Sequence, residues 1–566
     1  MAIVVVIATS YLGYQQLSDK GCTGRVPLTV AAASEILPAI EQAAQQWMAD
    51  GGNVNGTCVE VNVNAVNPAT MAAAVARDHS VQLSGLGTAP QSVAVPDVWV
   101  PDSRTWLQRL KAEASGFTPS DGAPIAQSPV VVAMPTPVAG KFGWPDKKLS
   151  WRDLLTQMNA STDVRTGIVD PARDAAGLAG LLALAAAAPS GVKGQQAKVG
   201  ALRALAADSS SLRDDMLQKF PRSADPASVA NGLTAAPLSE EDVIAYNAER
   251  PPLQLAALYL DPAPPGLDYP FAIMPQVDLQ RSAAAVGLRQ RLQTAQFKNA
   301  LAAAGLRGPD GTVGTGFSMP VGAPSATAPA GSADASQGGA AASGIDAGVI
   351  NQALGSWAAI TQPGRVLSVF DVSGSMAEPV PTAGGLTRSQ VTAQAARVGL
   401  SLFDDKWSVG VWIFSTELDG KKPYKELYPI SPLTAARSEL AATTNKFGPK
   451  KGGGTGLYDT VLAAYREVQR DYVPGRINSV ILFTDGKNEN KDGIEIDQLL
   501  VEMKKALNPK RPVRLVIIGI GTGVDRNELK RITDVTPAGG VFLAPDPAKM
   551  TDIFLQAMAS RTGATT

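Results

Sequence analysis

Short runs of β-branched and apolar residues alternate with helical patterns over the last third of the chain. "RVLSVFDV", "SVGVWIFST", "SVILFTDG", "RLVIIGIG" and "GVFLA" read as strands. "TRSQVTAQAARVGLSLF", "GLYDTVLAAYREVQR", "IEIDQLLVEMKKAL" and "DRNELKRITDV" carry apolar residues at helical spacing. Near-continuous hydrophobic strands joined by helical crossovers predict a mostly parallel sheet covered on both faces. The expectation is a doubly wound α/β domain over 364–566, with "PYKELYPI" as an extra edge strand.

The first half is α/β as well, but more broken. "LTVAAA" leads into "SEILPAIEQAAQQWMA", "CVEVNVNAV" into "PATMAAAVARD", and "PDVWVPD" into "SRTWLQRLKAEA". A second block opens with "SPVVVAMP" and includes "TGIVDPARDAAGLAGLLALAAA", so two α/β lobes fit residues 25–318. The alanine-rich helix in that block is apolar on all sides, short and bounded by Pro and Gly, which predicts burial rather than a membrane span. Between the halves, Met319 to Gly344 is rich in Ala, Gly, Ser and Pro. It reads as a flexible linker and, with a connecting helix, fills 319–363.

Residues 1–24 begin with "MAIVVVIATSYLGY", an apolar run with no basic residue ahead of it. It is too short for a span of about 20 residues. A signal h-region, the visible part of a membrane anchor and a buried first strand all fit; export is the favoured reading, at the outer face of the cell membrane or as a secreted protein. Asp19 and Lys20 argue against lipidation of Cys22. Outside the cytoplasm paired cysteines are more often bridged than free. A Cys22–Cys58 disulfide is therefore expected, with two inert thiols as the alternative.

At 566 residues, two or three domains are expected. The balance of 50 basic against 51 acidic residues shows no long basic stripe, which speaks against a nucleic-acid partner. One histidine and two cysteines cannot build the usual zinc clusters.

The chemistry gathers at strand ends. In a doubly wound sheet, ligands bind outside the carboxyl ends of the strands, where strand order reverses. Asp371 in "FDVSGSM" and Asp485 in "FTDGKNEN" each close a strand, and two carboxylates brought together call for a cation. Ser373, Ser375 and Thr455, the last following three glycines in "KKGGGTGLYD", add neutral oxygens. Hard oxygen donors suit Mg²⁺, with Mn²⁺ close behind and Ca²⁺ less suited. Helix and turn capping by the same residues is the alternative. No general base or substrate pocket is visible, so an enzyme is not expected.

Asp371, Ser373 and Ser375 in "DVSGS", Thr455 in "GGTGLYD" and Asp485 in "FTDG" resemble the three loops of the metal-ion-dependent adhesion site in von Willebrand factor A domains, over about Gly364 to Arg561. The resemblance implies a Rossmann-like sheet, Mg²⁺ at these five residues, and a protein partner whose carboxylate completes the site. "VPLTVAAASEILPAIEQAAQQW" and "PDVWVPDSRTWLQRL" are similar to two-lobed solute-binding proteins, the type II periplasmic class that includes molybdate and sulfate binders. That likeness implies an interlobe cleft, with Ser34, Ser103, Asp170 and Tyr246 as lining residues for a small-molecule ligand; Ser34 and Ser103 read equally well as helix caps. Together these imply an envelope protein, anchored through its N-terminus, that binds a protein through Mg²⁺. The alternative is a receptor of an ABC-type transport system with the C-terminal domain as docking module.

Overall fold

The computed structural model describes residues 22–559 apart from 84, 88, 161–163, 328–344, 362–363, 404, 475 and 537–538. The apolar start expected to be a signal or anchor lies outside the described residues. Among the described residues no helix is long and apolar enough to cross a membrane. The chain divides into two compact units, Met1–Ala347 and Gly348–Thr566.

The first unit has two lobes. One holds a six-stranded sheet of order β2-β3-β1-β4-β9-β5. Its strands are β1 (Arg25–Ala32), β2 (Asn53–Val54), β3 (Thr57–Ala65), β4 (Val98–Val100), β5 (Ser120–Pro124) and β9 (Pro270–Ile273). The other holds a three-stranded sheet of order β7-β6-β8, from β6 (Val130–Pro135), β7 (Ala236–Ser239) and β8 (Leu255–Leu258). β1 and β3 run parallel with Arg25 opposite Cys58. That register carries Cys22, just before β1, to Cys58, and a disulfide joins them. The alanine-rich helix Ala175–Ala187 buries Leu178, Leu181 and Leu184.

The expected boundary at Ser318 falls short. Residues up to Thr327 stay on the first unit, because the Thr327 N–H donates to the Gly311 carbonyl (3.1 Å) and the Arg307 guanidinium to that of Pro324 (3.0 Å). Arg307 also makes a two-armed pair with Glu240, at 2.7 Å on each arm, and both side chains are fully buried. The helix Ala347–Thr361, expected to be a connector, clusters almost entirely with the second unit and buries Ile350, Leu354 and Trp357.

The second unit is one six-stranded sheet of order β12-β11-β10-β13-β14-β15. Its strands are β10 (Gly364–Asp371), β11 (Ser408–Asp419), β12 (Lys422–Pro432), β13 (Ile477–Thr484), β14 (Arg514–Ile520) and β15 (Gly540–Ala544). All pairings are parallel except β11 with β12, the edge hairpin that contains "PYKELYPI". β14 is buried along its whole length, as a strand covered on both faces requires. The helix Leu457–Arg470 buries Leu457, Val461, Ala464, Tyr465 and Val468, an i, i+4, i+7, i+8, i+11 stripe in the same core as Leu367, Val480 and Leu482. Fully burying side chains of this kind contributes about 1.5–3 kcal/mol each.

Replacing Arg307 with Met strands the Glu240 carboxylate in the core. Urea unfolding is expected to show a loss of about 3–5 kcal/mol, and an unchanged midpoint would contradict the assignment.

Candidate functional site

β10 leads to β11 on one side and lies beside β13 on the other, so the strand order reverses at the β10–β13 pair. Phe370 is opposite Phe483 in that pair, which brings Asp371 and Asp485 to one edge of the sheet. Both are buried, at 1% and 2% exposure. Asp371 Oδ1 accepts from the Ser373 N–H (2.8 Å), and its Oδ2 from Thr484 Oγ1 (2.8 Å). The Ser373 and Ser375 hydroxyls are 3.1 Å apart, and Ser375 Oγ donates to Asp485 Oδ1 (2.8 Å). Burial, with the Asp485 charge adding to it, pushes the Asp371 carboxyl up to about 7 against the hydrogen bonds from Ser373 and Thr484.

Thr455 reaches the same edge through close backbone packing. The Gly374 N–H donates to the Gly453 carbonyl (2.8 Å), tying the first loop to the second. A Cβ on Gly453 would meet Ser415 Oγ at 2.3 Å, and one on Gly454 would meet Glu489 Oε2 at 2.9 Å, so these two positions are tight, while Gly452 takes a left-handed φ of 68°. The buried Thr455 hydroxyl lies 3.3 Å from where a Cβ on Gly486 would stand, beside Asp485. Glu489 and Asn488 hold this loop, accepting from the Thr455 N–H (3.0 Å) and the Leu457 N–H (2.9 Å). Arg388 is the cation here: Nη1 donates to Asp485 Oδ2 (2.8 Å), and Nη2 pairs with Glu378 (2.6 Å). The edge thus offers two carboxylates and three hydroxyls, a set of hard oxygens. Among the described residues no group of three or more His, Cys, Asp or Glu gathers as a metal-holding cluster, at this edge or elsewhere.

The interlobe cleft of the first unit is organised differently. Arg213, at the start of the helix Arg213–Gln218, donates Nε to Asp174 Oδ2 (2.5 Å), Nη1 to Glu35 Oε1 (3.3 Å), and Nη2 to Asp102. Tyr269 Oη donates to Glu35 (2.9 Å) and Trp106 Nε1 to Asp102 (2.8 Å). Glu35 and Asp102 follow β1 and β4 in one lobe, whereas Asp174 and Arg213 belong to the other, so a single guanidinium spans the cleft. Burial, reinforced by Glu35 and Asp174, pushes Asp102 up to about 7 against the pull of Arg213. Burial opposes the Arg213 charge, but its carboxylate neighbours hold it well above its ordinary value.

A family model described as bacterial extracellular solute-binding protein matches residues 28–307, and one for the von Willebrand factor type A domain matches residues 366–556. The chain joins a solute-binding-like domain to a von Willebrand factor type A domain. A relative in Mycobacterium tuberculosis (strain ATCC 25618 / H37Rv), "Uncharacterized protein Rv1836c", is 24% identical over 98% of this chain and 82% of its own length. Among solved structures, "The sulfate-binding protein SubI from Mycobacterium tuberculosis H37Rv" is 19% identical, covering 50% of this chain and 87% of that one, at a TM-score of 0.34. "von Willebrand factor type A from Catenulispora acidiphila" is 22% identical, covering 36% of this chain and 43% of that one, at a TM-score of 0.29. The solute-binding-like domain suggests a periplasmic or extracellular location.

In the von Willebrand factor A domain, Asp371, Ser373, Ser375, Thr455 and Asp485 come together at one edge. Arg388, Thr484 and Glu489 also hold this edge, and no sequence motif marks them because each acts through a pairing distant in the chain. In the solute-binding-like domain, the expected lining set does not assemble. Ser34 is exposed and its hydroxyl donates to its neighbour Glu35 (3.2 Å). Ser103 accepts from the Thr105 N–H (3.2 Å), a local bond at a helix start. Asp170 accepts from the Ala172 N–H (3.1 Å) in its own turn. Tyr246 is a correction: it is 6% exposed in the core of the second lobe with Val243 and Leu238, and its hydroxyl donates to the Leu253 carbonyl (3.5 Å). Val243 and Tyr246 share one helix face, which packs on the sheet rather than toward the cleft.

Asp102 binds its proton more tightly folded than unfolded. Its contribution to stability is present below the ordinary carboxylate range and lost as pH rises through about 7. Arg213→Met deepens that loss by leaving the carboxylates unpaired. Urea unfolding is expected to show a destabilisation of about 3 kcal/mol or more at pH 8 and a smaller one at pH 5.

Proposed function

We propose that this is a cell-envelope or secreted protein whose von Willebrand factor A domain binds a protein partner through Mg²⁺ held by Asp371, Ser373, Ser375, Thr455 and Asp485. The observation that carries the reading is the convergence of two buried carboxylates and three hydroxyls from three loops on one sheet edge. These residues fit the ion: all donors are hard oxygens, and a buried pair of acids is costly without a positive charge between them. Mn²⁺ fits the same donors, and Ca²⁺ fits a compact site less well.

When bound, the ion supplies a Lewis-acidic point to which a partner's carboxylate can attach. The chain's own residues prepare that point. Thr484 and the Ser373 N–H fix both Asp371 oxygens, Ser375 fixes one oxygen of Asp485, and Arg388 holds the other. With few anionic donors, the site leaves the cation short of charge and receptive to an outside carboxylate. The role is binding rather than catalysis.

A pull-down from native envelope extract tests this, comparing the wild-type chain with Asp371→Ala in Mg²⁺ and in EDTA. A protein retained only by the wild type in Mg²⁺ is expected; identical captures in all four conditions would refute the reading. Arg388 competes for Asp485, so removing its charge strengthens cation binding. Calorimetry on Arg388→Met is expected to give Mg²⁺ affinity about tenfold tighter, a modest fraction of a near-surface charge interaction, and on Arg388→Lys little change.

A further inference from the structure

One cavity of the solute-binding-like domain lies apart from the Arg213 corner. It has a volume of about 530 Å³ and carries Ser103 on its wall, but none of Glu35, Asp102, Asp174 or Arg213. Its lining is mainly apolar, with Trp144, Leu149, Leu258, Leu260, Pro264 and Leu267 prominent. The segment beyond the expected domain end completes it through Pro324 and Thr327. Ligand pockets for drug-sized molecules span roughly 300–1,000 Å³. A tetrahedral oxyanion needs far less.

Charge sorts the two places. At the cavity, Arg104 is neutralised by its pairing with Asp268, leaving the exposed Lys147 and Lys148 against Asp261. The balance there is positive. At the Arg213 corner, one guanidinium faces Glu35, Asp102 and Asp174, with Asp242 4.0 Å away. An arriving anion would meet carboxylates whose one cation is already engaged. Two lining residues also hold a buried polar atom, Trp144 Nε1 and Gln108 Oε1, that has no hydrogen-bond partner among the described residues. Unused buried groups of this kind are uncommon and are satisfied by water or ligand.

We propose that this cavity binds a small molecule with an apolar body and one anionic end, of the size of a medium-chain carboxylate, and that the domain does not bind small tetrahedral oxyanions. The lysines at the mouth meet the anionic end, and the leucine and proline wall takes the body.

Calorimetry on the full chain with octanoate, octanol and sulfate tests it. Octanoate is expected to bind at one site, octanol about tenfold more weakly, and sulfate not at all, since two exposed lysine contacts are together worth roughly one factor of ten. The Lys147→Ala/Lys148→Ala double variant should weaken octanoate by about the same factor and leave octanol unchanged. Ala263→Trp, at an exposed lining position, should abolish binding of both without moving the thermal unfolding transition. Sulfate binding, no octanoate binding, octanol binding equal to octanoate, or octanoate binding indifferent to both variants would each overturn the proposal.

Discussion

Parallel pairing of β10 with β13 is the constraint on which the C-terminal domain's chemistry depends. It places Phe370 opposite Phe483, so the residues that end these strands, Asp371 and Asp485, share one buried edge. Two carboxylates there are unfavourable on their own. Hydroxyls of Ser375 and Thr484, a backbone N–H and the Arg388 guanidinium surround them. The glycines before Thr455 follow from the same constraint, because the second loop approaches so closely that side chains at Gly453 and Gly454 would collide with Ser415 and Glu489.

The solute-binding-like domain meets a buried cluster of acids differently. Here a side chain of the protein supplies the positive charge: Arg213 reaches from one lobe to Glu35 and Asp102 of the other. The two domains therefore treat buried carboxylates in opposite ways. One surrounds them with neutral oxygens and keeps Arg388 on a single oxygen of Asp485, and the other saturates them with a guanidinium held on several sides. The first arrangement gathers two carboxylates and three hydroxyls at one sheet edge. The second ties the lobes together and stands apart from the apolar cavity of about 530 Å³.

What was legible in the sequence follows from how local each feature is. Asp371, Ser373 and Ser375 lie within five residues, and Thr455 and Asp485 each sit in a short strand-to-helix or glycine-rich signal, so all five could be named before the fold was known. The strands of the C-terminal sheet were legible because a strand covered on both faces is apolar throughout. Arg388, Thr484 and Glu489 were not, since each acts on a residue about 34 to 113 positions away and no sequence spacing records such pairing. Tyr246 lies in the core because the likeness that put it at the cleft does not show which way a helix face turns. The linker's start was misread at Met319 because composition cannot show that the buried Arg307 reaches out to hold Pro324.

The proposed function depends on a divalent cation held at the β10–β13 edge. Electron paramagnetic resonance titration of Mn²⁺ into the full chain measures this without any partner protein. One bound Mn²⁺ displaceable by Mg²⁺, and its loss in a Ser373→Ala/Ser375→Ala variant whose unfolding transition is intact, is the predicted result. No bound Mn²⁺ in the wild type, or binding that survives in the variant, would contradict the account.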